Sequence, residues 1–111
     1  MAVKEGFKVV RIKGKHLYSA LHSNYLMYRR RGKTFPPLNG GPLCVFKNEI
    51  DAQDFKNHEL PPLVVYAVRY EPSRARRVWR VRGRKHDIAQ ISALSHGKVL
   101  AKWVELVKEI Q

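Results

Sequence analysis

The stretch Leu63-Val64-Val65-Tyr66-Ala67-Val68-Arg69-Tyr70 decides the architecture. It lies between Pro61-Pro62 and Pro72, and proline fixes φ and lacks a donor, so these residues bound one element. Valine and tyrosine suit a pleated, half-buried surface, and the run has the length of a strand. Its near-continuous apolar character predicts a central strand, covered on both faces.

Upstream, Asn48 offers a helix N-cap, and Glu49 and Asp51 occupy the first turn, where the helix dipole favours negative charge. With Ile50, Ala52 and Phe55 read as one apolar face, a short helix is predicted over Glu49–Asn57. Leu43–Phe46 reads as a short buried strand, preceded by a loop rich in proline and glycine over 36–42. Nearer the N-terminus, residues 7–13 form a first strand, Gly14-Lys15 a hairpin turn, and residues 17–21 a second strand. Residues 24–30 form a third strand, apolar at its start and basic at its end.

Downstream, residues 78–82 read as a further strand, with Val78 and Val81 flanking Trp79-Arg80. The C-terminal quarter carries two signals. Val99, Leu100, Trp103, Val107 and Ile110 recur at helical spacing and predict a helix over 99–109, while Val104 and Leu106 alternate as a strand would. Asp87 caps a second short helix over 87–94, carrying Ile88, Ile91 and Leu94. The expected fold class is α+β: one domain over residues 1–111, with a mixed or antiparallel sheet of about five to seven short strands and one or two short helices.

Composition bounds the rest. The 111 residues carry 22 Lys and Arg against 9 Asp and Glu, a formal net charge of +13. Such a field attracts polyanions whatever the fold, and nucleic acid is the commonest polyanion in a cell. The single cysteine, Cys44, excludes an internal disulfide and a multi-cysteine zinc site, and it lies in an apolar run where it reads as a small buried hydrophobe. The N-terminal residues lack the apolar stretch of a signal peptide, and no run approaches the length of a membrane span. A cytoplasmic location is the expectation.

The segments Lys8-Val9-Val10-Arg11, Leu17-Tyr18-Ser19-Ala20, and Tyr28 before Gly32-Lys33-Thr34 resemble small uncharacterised proteins of phages and prokaryotes. So do Gly41-Pro42-Leu43-Cys44-Val45-Phe46 with Asp51-Ala52-Gln53-Asp54-Phe55, and the ending Gly97 to Val107. The resemblance covers most of the chain. It implies a C-terminal strand rather than a helix, and its motifs carry no chemistry. The order of apolar strand, short helix and late glutamate-bearing strand is also similar to the ADP-ribosyltransferase scaffold, but no histidine, tyrosine and glutamate triad falls on matching positions.

Two basic clusters are the candidate sites. Arg74, Arg76, Arg77, Arg80, Arg82, Arg84 and Lys85, with Arg69 before them, stand against the single acid Glu71. Arginine's planar fork pairs with phosphate, and Trp79 would either stack on an unpaired base or fill the core. The second cluster, Arg29, Arg30, Arg31 and Lys33, lies on a strand end and its turn. The two merge into one anion-binding face if the third strand pairs near residues 78–82. Arg31-Gly32-Lys33-Thr34 is not a P-loop, because Met27 replaces the first glycine of that motif.

His16, His22, His58, His86 and His96 form no pair at metal-ligand spacing, and no cofactor is expected. A small ribonuclease would need His16, His22 and His86 to converge beside Lys15 or Arg84. The acids Glu49, Asp51, Asp54 and Glu59 read as a dipole-matched first turn and a solvated helix face. The favoured function is therefore a non-catalytic nucleic-acid-binding accessory protein of phage or mobile-element origin. The alternatives are a module docking on an acidic protein and an enzyme on a transferase- or nuclease-like scaffold.

Overall fold

The computed structural model describes residues 2–19, 27–36, 42–59, 61–75, 77–78, 89–90 and 97–110. Its elements, in chain order, are β1 (Lys4–Lys13), β2 (His16–Ser19), β3 (Met27–Tyr28), β4 (Lys33–Thr34), β5 (Leu43–Phe46), α1 (Glu49–Asn57), β6 (Leu63–Pro72), β7 (Arg77–Val78), β8 (Ala89–Gln90) and β9 (Lys98–Ile110). Seven strands make one antiparallel sheet, and β7 with β8 forms a separate two-stranded ladder. The described residues hold one helix, so the chain is richer in β-structure than expected. Where helices were read over 99–109 and 87–94, the backbone at 98–110 and at 89–90 is strand.

β6 organises the sheet, as its apolar run demands. Along one edge it pairs with β1, from Lys4 opposite Tyr70 to Arg11 opposite Leu63. Along the other it pairs with β9, from Val65 opposite Ile110 to Pro72 opposite Ala101. On the far side, β5 lies between the same two partners, pairing Leu43 to Phe46 with Ala101 to Lys98 of β9 and Phe7 of β1 with Phe46. The hydrogen-bonding path β1–β6–β9–β5–β1 thus returns to its start, a closed, barrel-like ring. Gly6 permits that closure: a Cβ there would come within 2.7 Å of the Phe46 carbonyl oxygen and 2.9 Å of the Tyr70 ring.

Inward side chains from all four ring strands form the main core. Val10, Val45, Val68, Tyr70, Ala101, Val104 and Leu106 meet there, joined by Leu17 of β2 and Tyr28 of β3. A second cluster lies on the outer face of the ring, where α1 lays Ala52 and Phe55 over Val9, Phe46, Leu63 and Val65. The Phe46 and Phe55 rings are 5.5 Å apart. Ile50, expected on that apolar face, is instead 81% exposed. At 3.6 residues per turn, Ile50 and Ala52 point to roughly opposite sides of a helix, whereas Ala52 and Phe55 share one. Asn48 marks the helix start as expected, but its side chain makes no cap bond and its amide donates instead to the Asp51 carboxylate at 3.4 Å.

β9 reads as a helix because two bulges interrupt its alternation. Pro72 faces Ala101 while Glu71 faces Trp103, which leaves Lys102 as an extra residue. Val68 faces Leu106 while Ala67 faces Lys108, which leaves Val107 extra and half-exposed. Each extra residue reverses which parity points inward, so the inward series Val99, Ala101, Val104 and Leu106 steps by two, three and two.

Inside the ring lies a charge. Lys8 shares its inward parity with Gly6 and Val10 and is only 3% exposed. Its ammonium donates to the Cys44 carbonyl oxygen at 2.6 Å and stands 5.1 Å from the centre of the Tyr28 ring. Burial lowers its pKa from 10.5 to about 8, with the Cys44 thiol opposing that shift and Lys98 adding to it. Cys44 is itself buried, as expected, and burial pushes its thiol pKa up.

Candidate functional site

One end of the sheet is built from two tight turns. β1 and β2 form a hairpin whose register sets Arg11 opposite Tyr18 and Lys13 opposite His16, around the turn at Gly14-Lys15. β3 adds to β2 with Leu17 opposite Tyr28 and Tyr18 opposite Met27. Because side chains alternate along a strand, Leu17 and Tyr28 go to the core while His16, Tyr18 and Met27 share the other face. Met27 is 48% exposed there, and the His16 and Tyr18 rings meet edge to face at 6.3 Å.

The second turn carries Arg29, Arg30 and Arg31 from β3 to β4. Gly32 reverses the chain at φ +81°, a conformation that side-chain-bearing residues seldom adopt. The Thr34 hydroxyl accepts the Arg29 amide hydrogen at 2.9 Å and closes the turn. Arg30 then ties the two turns together: its Nε and one terminal nitrogen donate to the Lys15 carbonyl oxygen at 3.3 and 3.1 Å.

Between the turns lies a cleft of about 430 Å³, walled by residues 15–17 and 27–31. Most of its wall is carbon, and its charged rim is Lys15, Arg29, Arg30 and Arg31. Residues 11–19 and 27–36 carry Arg11, Lys13, Lys15, Arg29, Arg30, Arg31 and Lys33 and contain no Asp or Glu. Clustered cations around a low-dielectric concavity concentrate field on whatever enters it. Among the described residues lining the cleft, His16 has no carboxylate beside it.

The structure gathers only part of the expected site. Arg29, Arg30 and Arg31 come together with Lys15 and His16. Lys33 does not join them, since its ammonium stands 4.2 Å from the centre of the Trp103 ring on β9. Arg74 is exposed beyond the end of β6 and does not line the cleft. Arg77 is described in backbone only, and Arg76, Arg80, Arg82, Arg84, Lys85 and Trp79 lie outside the described residues. The expected pairing between the third strand and residues 78–82 is not found among the described residues: β3 pairs with β2, and β7 with β8. His22, His86 and His96 also lie outside them.

Lys13, Lys15, His16 and Met27 were not foreseen as part of a phosphate-binding site, although Lys15 and His16 were weighed for a ribonuclease centre. The signal for the first three was the run Lys13-Gly14-Lys15-His16, a hairpin turn whose tip and flanks are all basic. Glu71, the one acid of the arginine-rich segment, is occupied within the sheet. It accepts from Trp103 Nε1 at 2.9 Å and pairs with Lys102 at 3.2 Å, and these bonds, the Lys102 one foremost, hold its carboxyl below the usual range. The acids of α1 behave as read: Glu49 and Asp51 sit in the first turn, and Asp54 and Glu59 are exposed.

No protein-family model, curated protein or solved structure matches the chain. Among the described residues, no helix is long and apolar enough to cross a membrane.

Proposed function

We propose that this chain is a non-catalytic nucleic-acid-binding accessory protein, of phage or mobile-element type, that grips backbone phosphates with its hairpin end. The observation that carries the reading is the convergence of Arg29, Arg30 and Arg31 with Lys15 around one cleft, in a part of the chain free of carboxylates. Arginine forks bind phosphate in paired hydrogen bonds, and Arg30 is already held in place by the Lys15 carbonyl, so less freedom is lost on binding. Arg11 and Lys13 on the adjoining hairpin extend the cationic surface along a strand. Arg74 and the arginines that follow it supply further charge for the same polyanion.

Titration of labelled DNA and RNA against salt tests this. Binding should weaken steeply with salt, and the triple variant Arg29→Ala, Arg30→Ala, Arg31→Ala should flatten the log–log slope by about 0.7–0.9 for each phosphate no longer gripped. Absence of binding at low salt, or an unchanged slope in the triple variant, would remove the hypothesis.

A further inference from the structure

We propose that the cleft between the two turns receives an unpaired base, so that this protein selects single-stranded nucleic acid over duplex. The inference rests on the phosphate-gripping reading above and goes on to name the substrate class. A surface serving only phosphates needs cations on a flat or ridged face. Here the cations stand on the rim of a concavity of about 430 Å³ whose wall is mostly carbon. Phosphates find donors in Lys15 and the three arginines, whereas the carbon surface between them offers an anion nothing and gives a planar base contact on its face.

The wall chemistry suits that occupant. Met27 contributes a polarisable thioether, half-exposed although it lies in a strand. His16 lines the same cleft, and its ring is steadied edge-on by Tyr18. The Arg30 guanidinium, pinned by two bonds to the Lys15 carbonyl, gives a fixed plane at the rim. Arginine planes stack on bases as well as pairing with phosphate. A base seated against these groups leaves its flanking phosphates beside Arg29, Arg31 and Lys15. In a duplex, paired and stacked bases are not free to enter.

The test compares four labelled probes of equal phosphate number: single-stranded RNA, single-stranded DNA, the same DNA strand made abasic, and duplex DNA. Binding of the base-bearing single strands should be at least about fivefold tighter than that of the abasic strand and the duplex, the size expected for stacking one base. Met27→Ala, at an exposed position, should remove most of that preference. Equal affinity for base-bearing and abasic strands would overturn the inference and leave the phosphate-gripping reading standing, as would a preference that Met27→Ala leaves intact. Failure of all four probes to bind would overturn both.

Discussion

β1 passes through two regions of opposite chemistry. Near Phe7 and Val9 it is covered by α1, and its outer face joins an aromatic and aliphatic cluster. A few residues on, Arg11 and Lys13 lie on a hairpin outside that cluster, with β2 between them and the strand that leads to the three arginines. The acids show the same division: Glu49, Asp51, Asp54 and Glu59 belong to the helix flank, and residues 11–19 and 27–36 contain none. One strand thus serves as scaffold at one end and as a charged surface at the other. Burial should govern stability in the first region, and solvated charge should barely affect it in the second.

The sharpest way to break the comparison is Leu17→Ala. Leu17 is 2% exposed and anchors the hairpin end to the ring core. Its truncation should destabilise the protein by about 2–5 kcal/mol in urea unfolding. If the loss is far smaller, the hairpin end is not welded to the ring as described.

Lys8→Met should act next most strongly and in the opposite direction. Holding a buried ammonium whose pKa has fallen from 10.5 to about 8 opposes folding at pH 7, so the variant should gain about 1–3 kcal/mol, less whatever the bond to Cys44 contributed. The sign gives a further check. Between about pH 8 and 10.5 the unfolded chain keeps a proton that the folded chain has released, so Lys8 makes wild-type stability rise with pH in that window. The gap between wild type and Lys8→Met should be widest at pH 7 and should narrow towards pH 10; a constant gap would show that the amine stays charged inside the ring.

Glu71→Gln probes the boundary between the regions. Because Lys102 and Trp103 hold the Glu71 carboxyl below its usual range, its stabilising effect is present at neutral pH and is lost as pH falls through that depressed value. The variant should therefore lose less stability on acidification than wild type, as read by thermal melts across pH 2–6. The smallest stability effect belongs to the triple alanine variant of Arg29, Arg30 and Arg31. These exposed positions should change unfolding free energy by less than about 0.5 kcal/mol each, even though nucleic-acid affinity falls. A large loss of stability there would mean that the Arg30 bonds to Lys15 hold the fold itself together.

Legibility followed the same division. β5, α1 and β6 could be read because each is bounded by proline, glycine or a cap and keeps one periodicity throughout. β9 could not, because Lys102 and Val107 shift its inward parity twice, a property of pairing with β6 rather than of local sequence. Lys8 was also hidden: the alternation gives its face, but only ring closure turns that face inward. At the site, the arginine run was plain, whereas Lys15, His16 and Met27 join it through hairpin register, which one segment alone does not specify.

The seam that closes the ring has a practical use. β5 meets β1 through one backbone pair, Phe7 with Phe46, and the Lys8 bond to the Cys44 carbonyl, and β5 carries the only thiol of the chain, at 6% exposure. A thiol-modifying reagent can reach Cys44 only when the packing around β5 opens, so under native conditions the labelling rate becomes a clock for opening events there. The molecule carries its own gauge of how often the wall around β5 comes undone.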